Sequence, residues 1–412
     1  MPVTIVNHSD DLIKYISKLN LEFSTSQTNH LLNLITGLIN LEGKKNLSNL
    51  NRNFLNTTNR SNLSRFLTTS PWDEETVNSK RLQFSCNKLI ESAQNSNEPI
   101  FLSIDDTMIS KKKESKHIEG MTKLFSHVSR KNEWAHCQVA LQGKSGDLSI
   151  PLDFKVYLSK GYCEEQKTEF KSKNDLAYDL IKELDFVKEN LTYLLMDSWY
   201  SSSKLIMSAL ALGIYSIVTQ KSNRKFFPEG IEIQLKEYEK LIDKSSLNLV
   251  TVKGKDYYTY RYEGNLKGIE NAVVVFSYEL NGNELKNPMY ILSTDICLSN
   301  REIISYYLNR WDIEVSFRYQ KDSLGLCHYE MRSLKGIKRY WYIIYLAYNY
   351  LTLKSEEVIK SIGEKIKEEK MQSKISEINI ILELKAKGYS KVEIIELFIK
   401  NTKKVAQINR LA

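Results

Sequence analysis

Apolar residues recur at helical intervals through the first part of the chain, at Leu12, Ile13, Ile16 and Leu19 and again along LLNLITGLINLEG, with Ser/Thr/Asn-rich turns between them. This spacing predicts a small all-helical domain over residues 1–95. From Pro99 the pattern changes to strand: FLSIDDTMIS is an apolar run ending in paired carboxylates, followed by the basic segment KKKESKH. CQVALQG and LSIPLDFKVYL, around the turn KSGD, predict an antiparallel meander. An amphipathic helix over 174–186 follows, then the buried strand YLLMDSWY ending at Asp197, the helix SSSKLIMSALALG and the strand IYSIVTQ. Three strands, helix, strand, helix, strand make up the first part of an α/β core over 96–221.

Residues 222–288 become Tyr-, Lys- and Glu-rich and alternate in DYYTYRYEG and NAVVVFSYEL, which predicts a β-rich insertion. The core resumes over 289–355 with MYILSTD and then a long helix, NREIISYYLNRWDIEVSFRYQKDSLGL, in which Asn300 is the expected N-cap and Gly325 the expected stop. An aromatic helix over 336–354 is expected to pack behind it. Residues 356–412 are charged and helical, and ILELKAKGYSKVEIIELFI reads as a helix-turn-helix or as a plain helical hairpin.

At 412 residues the chain can bury a substantial core, and its formal charge of +8 favours a polyanionic partner, although Lys outnumbers Arg. Cys86, Cys137, Cys163, Cys297 and Cys327 include no Cys-x2-Cys pair, which argues against a zinc knuckle or a disulfide framework and fits a reducing cytoplasm. His117, His127 and His136 match no zinc spacing. The N-terminus carries Asp10 and Asp11 where a secretory signal would be basic and then apolar, and the apolar run from Tyr340 to Leu351 is too short to span a bilayer. No membrane role is expected.

The chemistry concentrates in three places. A step of about 100° per residue puts Tyr307, Arg310, Glu314 and Lys321 on one helix face, a carboxylate among cations. Alone, such a face is ordinarily a solvated salt-bridged surface. Two strands upstream, however, end in Asp106 and Asp197, so three carboxylates can converge at one sheet edge. Hard divalent cations take oxygen ligands, and two ions about 3.5 to 4 Å apart can activate an attacking oxygen and stabilise a leaving one. No Gly-x-Ser-x-Gly elbow, phosphate-binding glycine loop or Cys/His ligand set competes with that reading.

Tyr307-x2-Arg310-x3-Glu314-x6-Lys321 resembles the Tyr-Arg-Glu-Lys signature of bacterial insertion-sequence transposases of the insertion-sequence-four superfamily. IDDT at 104–107 resembles that family's first catalytic block and MDSWY at 196–200 its second. KKKESKHIEG followed by HCQVAL, and SPWD at 70–73, resemble the branch named after insertion sequence seven-hundred-and-one. The resemblance covers about residues 60–355.

It implies a ribonuclease-H-like mixed-sheet catalytic core of the DDE type, with a β-rich insertion and helical N- and C-terminal regions. It further implies a cut-and-paste DNA transposase that binds terminal inverted repeats, cleaves them with two Mg²⁺ ions, or Mn²⁺, and joins the 3′-hydroxyls to target DNA as a homodimer. Carried over residue by residue, Asp106, Asp197 and Glu314 are the metal-binding catalytic triad; the family places its first Asp directly before Thr, which favours Asp106, with Asp105 the competing candidate. Tyr307, Arg310 and Lys321 are expected to hold the DNA backbone. Lys111, Lys112 and Lys116 of the basic segment, and Arg60 and Arg65 of the N-terminal domain, complete the expected DNA contacts.

Some relatives stack a flipped base on a tryptophan of the insertion, but the Trp residues here are 72, 134, 199, 311 and 341. Phe226, Phe227, Tyr258 and Tyr260 can supply a stacking face or can be core. Trp199 and Trp311, beside the proposed triad, are read as packing residues. The rival readings are a ribonuclease-H-like nuclease without strand transfer and an inactive DNA-binding relative.

Overall fold

The computed structural model describes residues 4–55, 59–111, 117–126, 129–281, 284–354 and 360–400. The chain forms two compact units. One comprises Met1–Ser85, Ile109–Ala135 and Phe317–Ala412; the other comprises Cys86–Met108 and His136–Ser316.

The N-terminal pattern folds as five helices: α1 (Asp10–Lys18), α2 (Thr25–Asn40), α3 (Leu47–Arg52), α4 (Arg60–Thr68) and α5 (Glu74–Ser96). The turns between them supply the caps. Ser9, Ser24, Asn46 and Asn59 each accept a hydrogen bond from a first-turn N–H, and the Gln27 side-chain oxygen accepts from the Ser24 N–H to complete a capping box. Asp73 of SPWD accepts from the Thr76 N–H at 2.7 Å at the start of α5.

The next part of the chain contributes β1 (Ile100–Lys111), β2 (Thr122–Ser126), β3 (Lys131–Ser145), β4 (Leu148–Tyr157), α6 (Lys160–Gln166), α7 (Lys173–Lys182), β5 (Thr192–Met196), α8 (Ser203–Ala211) and β6 (Tyr215–Thr219). The order along the sheet is β4-β3-β1-β5-β6, with β3–β4 antiparallel and β1–β5–β6 parallel. That is a ribonuclease-H-like core. The KSGD turn falls where expected, with Gly146 at φ +54°. Two differences stand out: β1 runs on past both carboxylates to Lys111, and β2 is an additional short strand paired to the outer end of β3.

The insertion adds β7 (Lys225–Phe226), β8 (Ile233–Gln234), α9 (Leu235–Tyr238), β9 (Asn248–Val252), β10 (Lys255–Leu266), β11 (Ile269–Asn281) and β12 (Glu284–Ser293). It continues the core sheet: β12 pairs antiparallel with β6 and β11, β11 with β10, and β10 with β9, within one 12-stranded sheet. Phe226, Tyr238, Tyr260, Tyr262, Phe276 and Tyr290 pack edge to face and tilted at centroid distances of 4.7 to 6.1 Å. Phe226 and Tyr260 are therefore committed to packing, not to a stacking platform.

The chain then forms α10 (Asn300–Leu308), α11 (Trp311–Arg318), a π-helical turn over Tyr319–Ser323, α12 (Leu334–Leu353), α13 (Ile362–Ala386) and α14 (Lys391–Lys400). The aromatic helix α12 meets the end of the signature segment, where the Tyr340 hydroxyl donates to the Gly325 carbonyl at 2.9 Å and the Trp341 indole N–H to the Leu326 carbonyl at 3.3 Å. It packs on α2, α4 and α13 as the core of the helical unit, with Tyr340, Trp341, Tyr345 and Leu346 fully buried. Helices from both ends of the chain thus share one core.

At its centre Arg339 is wholly buried. Its guanidinium donates to the Glu74 carboxylate at 2.9 Å and to the carbonyls of Phe66, Leu67, Ser70 and Trp72, and it stacks on the Trp72 ring at 4.1 Å. SPWD is the socket of this arginine. Arg339→Met leaves those carbonyls and a carboxylate without their donor, so the unit should lose about 3–5 kcal/mol. Chemical denaturation of the purified chain checks this, and a loss below about 1 kcal/mol would show that the socket is dispensable.

Candidate active site

The site is built on one face of the sheet. In a strand successive side chains alternate faces, and in a parallel pair residues in register share one. Ile100↔Thr192 through Ile104↔Met196 is the register of β1 on β5, so the next positions, Asp105 and Asp197, lie side by side just beyond the last pair. Their face is the one that Phe101, Tyr193, Leu195, Ile217, Val275 and Ile291 present to Ile303 and Ile304 of α10. Asp106 necessarily takes the opposite face.

The signature segment is not one continuous helix. Its N-cap is Ser299, in a capping box with Glu302, and Asn300 is the first helical residue. Around Asn309 and Arg310 three-residue hydrogen bonds replace four-residue ones: Arg310 N–H to Tyr307 at 3.0 Å, Asp312 to Asn309 at 3.2 Å and Ile313 to Arg310 at 3.3 Å. The tightened turn ends α10 and starts α11. Gly325, at φ +77°, does stop the segment.

Arg310 sits in the tightened turn and spans two carboxylates. One guanidinium nitrogen is 3.2 Å from Asp105 Oδ2 and the other 2.6 Å from Glu314 Oε1. Burial pushes the Asp105 carboxyl up to about 7; its own bond from the Asp106 N–H and Arg310 oppose this, while Asp197 and Asp106 add to it. The Tyr307 hydroxyl shares a 3.2 Å hydrogen bond with Thr219, and its ring lies 5.9 Å from the Arg310 guanidinium. Asp197 accepts from the Trp199 N–H at 2.9 Å.

Asp106 is engaged elsewhere. Its carboxylate accepts from Lys173 at the start of α7 (2.6 Å), from the Tyr200 hydroxyl (2.9 Å) and from the Cys137 thiol (3.3 Å). Burial, followed by Asp106, pushes the Tyr200 hydroxyl well above its ordinary range. Lys173 carried no motif that would single it out and Tyr200 was quoted only as part of MDSWY, although the two-residue period of IDD was enough to separate Asp105 from Asp106.

The remaining expected DNA-contact residues belong to the helical unit. Lys321 falls in the π-helical turn of the helical unit. Lys111 is directed inward: its ammonium donates to the Cys327 and Tyr329 carbonyls at 2.5 and 2.8 Å and lies 3.6 Å over the Tyr329 ring, and burial lowers it to about 8. Its ammonium is thereby engaged within the chain. Lys112, Lys116 and His127 lie outside the described residues. Arg60 and Arg65 are exposed on α4, bonded to Ser48 and Asn62. Trp199 and Trp311, expected as packing, are 47% and 56% exposed. Among the described residues no three His, Cys, Asp or Glu side chains already form a metal-holding cluster, and no helix is long and apolar enough to cross a membrane.

Two families match this chain. The sequence profile of the DDE superfamily endonucleases matches residues 19–240, and that described as "Archaeal putative transposase ISC1217" matches residues 155–340. The first spans more than half of the sequence, and the chain belongs to the DDE superfamily of endonucleases. Within it, the chain is similar to the "Probable transposase for insertion sequence element IS701" of Microchaete diplosiphon, 29% identical over 167 residues, which is 40% of this chain and 42% of that protein. The DDE transposases of the IS701-like branch are thus its relatives.

The two adjacent aspartates should differ in what they do for the fold. Asp106→Asn weakens the acceptor of a half-buried lysine and a buried phenol, and should cost about 1–3 kcal/mol. Asp105→Asn removes a buried carboxylate from beside Asp197 and should cost nothing measurable. Thermal unfolding of both variants without divalent ions checks the contrast, and equal losses would contradict it.

Proposed function

We propose that this chain is a transposase that binds the terminal inverted repeats of its element, cleaves them by metal-assisted phosphodiester hydrolysis and joins the resulting 3′-hydroxyls to target DNA. The observation that carries the reading is the juxtaposition of Asp105 and Asp197 on the sheet face covered by the signature helix, with Arg310 between Asp105 and Glu314.

The donor set fits hard divalent ions in chemistry. Two carboxylates side by side, one driven up by burial and by its neighbour, supply the oxygen ligands that Mg²⁺ or Mn²⁺ takes alongside water and substrate phosphate. A third, Glu314, is one guanidinium away. Asp105, Asp197 and Glu314 are therefore the residues we assign to hold the ions. This moves the first position from Asp106 to Asp105, because Asp106 faces away and is neutralised by Lys173. Such ions, when bound, activate an attacking oxygen and stabilise a leaving one.

Arg310 has a second use in this scheme. Its planar fork, held between carboxylates, is the group placed to take a strand phosphate bidentately once those carboxylates have other partners. Hydrolysis breaks one phosphorus–oxygen bond and frees a 3′-hydroxyl. Strand joining then exchanges one phosphodiester for another without an external energy source. The exposed Arg60 and Arg65 of α4 suit phosphate contacts on the DNA end, and pairing two ends calls for two copies of the chain in the DNA complex.

Asp105→Asn, Asp197→Asn and Glu314→Gln should each lower cleavage of a repeat-bearing substrate about a thousandfold or more, the equivalent of several kcal/mol of charge stabilisation. Asp106→Asn should retain measurable cleavage. Gel assays of end cleavage and strand joining decide the assignment: loss with Asp106→Asn but not Asp105→Asn would reverse it, and cleavage without joining would make the chain a nuclease alone.

The ions can be tested separately. Cleavage should require Mg²⁺ or Mn²⁺, cease in EDTA and be poorly supported by Ca²⁺, whose looser coordination suits in-line displacement badly. Undiminished cleavage in excess chelator would exclude a metal role.

A further inference from the structure

In the sheet β1 lies between β5 and β3, so Asp105 has Asp197 on one side and β3 on the other. The Cys137 thiol donates to Asp106 Oδ2 at 3.3 Å, which sets residues 136–138 of β3 level with the two aspartates and puts Cys137 on the face of Asp106. Alternation then places Gln138 on the opposite face, that of Asp105. Two contacts further along β3 agree. Lys144, of the same parity as Gln138, pairs with Asp312 of α11 at 2.9 Å, and α11 follows Arg310 over the Asp105 face. Gly143, of the same parity as Cys137, has no room for a Cβ beside Leu89 of α5 on the other side of the sheet.

Gln138 is wholly buried, and among the described residues neither its amide nitrogen nor its amide oxygen has a hydrogen-bond partner. Gln142, the next glutamine on that face, is buried as well but donates to Ser149 Oγ at 3.0 Å. A buried amide with both ends unpaired bears its full desolvation cost and gains nothing in return, so it calls for a partner that the resting chain does not offer. The reason it has none lies next to it. Asp105 Oδ1 already accepts from the Asp106 N–H at 2.8 Å, and Oδ2 from Arg310 at 3.2 Å. Adjacent strands run about 4.8 Å apart, so an amide on Gln138 is one side-chain rotation from the Asp105 carboxylate.

We infer that Gln138 is a positioning residue for the ion-holding carboxylates: when Asp105 exchanges Arg310 for a divalent ion, the Gln138 amide N–H donates to the carboxylate oxygen that faces β3 and fixes the orientation of the other. A carboxylate that holds an ion is ordinarily steadied by such a hydrogen bond, and losing the donor typically costs about 10–100-fold in metal affinity. The unpaired amide of the resting chain is the counterpart of the shared guanidinium. Arg310 satisfies Asp105 before the ions arrive, and Gln138 satisfies it afterwards. The inference rests on the assignment of Asp105, Asp197 and Glu314 to the ions.

Gln138→Met keeps the approximate shape of the side chain and removes both unpaired atoms. In the full chain without divalent ions, its melting temperature should lie at or above that of the unaltered chain, because no bond is lost. Mn²⁺ binding, read from the electron paramagnetic resonance signal of the free ion during titration, should nonetheless weaken about tenfold or more, and the Mg²⁺ concentration for half-maximal cleavage should rise by a similar factor. Gln142→Met, on the same face but four residues further from the carboxylates, should leave Mn²⁺ binding unchanged. Unchanged Mn²⁺ binding in Gln138→Met, weaker binding together with a lower melting temperature, or equal weakening in Gln142→Met overturns the inference. The unaltered chain and Asp105→Asn, titrated alongside, separate the two readings. Equal Mn²⁺ binding by these two removes Asp105 from the ions and overturns both; a difference between them, with Gln138→Met matching the unaltered chain, overturns the role of Gln138 alone.

Discussion

Two consecutive residues of a β-strand cannot share a face, and at Asp105–Asp106 that constraint organises the whole site. The odd-numbered face of β1 and β5 carries Phe101, Tyr193 and Leu195 into the core beneath α10, so the carboxylates that continue it are delivered to the signature helix by the same pleat that buries the core. The even-numbered face delivers Asp106 to Lys173 and Tyr200. Placing Asp105 beside Asp197 away from bulk water is unfavourable in itself, as the upward displacement of Asp105 shows. Arg310 offsets part of that cost, and it can do so only because α10 ends at Leu308 and the tightened turn aims its side chain back at the sheet.

That turn is in turn supported by the insertion. Arg261 of β10 donates to the carbonyls of Ile296 and Leu298, both at 2.8 Å, and to Asn300 Oδ1 at 3.3 Å, while Val252, Tyr257 and Val273 share the cluster that buries Ile303 and Ile304. The insertion is therefore less an appended domain than the far half of one sheet. It fixes where α10 begins, and so where Arg310 falls. Its aromatic residues pack among themselves, which leaves the exposed rings near the carboxylates, Trp199 and Trp311, to the core and not to the insertion.

Much of this was legible in the residues. Strand and helix order, the meander around KSGD and the β-rich insertion all follow from local spacing, because each is decided within a few residues. What escaped depends on tertiary partners. The break after Leu308 is invisible to a 100° wheel, since Asn309 and Arg310 are compatible with helix and only the contacts to Asp105 and Glu314 reveal the turn. Lys111 looked like a surface cation in a basic run, but two carbonyls and a tyrosine ring from residues 327–329 take it inward. Lys45 is likewise buried with its ammonium on the Leu38 carbonyl, and burial lowers it to about 7. The apolar faces of the aromatic helix announce a core, but not that α2, α4 and α13 share it.

The two aspartates of IDDT divide the demands that a reactive carboxylate site makes. A group meant to exchange partners has to be poorly satisfied in the resting chain, and Asp105, crowded by Asp197 and held by one side of a shared guanidinium, meets that condition. A strand end meant to stay put has to be well satisfied, and Asp106, with three side-chain donors, meets the opposite one. Since Tyr200 follows Asp197 by three residues, the Asp106–Tyr200 bond also ties the tip of β5 to β1 directly behind the paired carboxylates. The adjacent position thereby supplies rigidity that the reactive one cannot supply for itself, which is a physical reason for two carboxylates in a row where one would carry the charge.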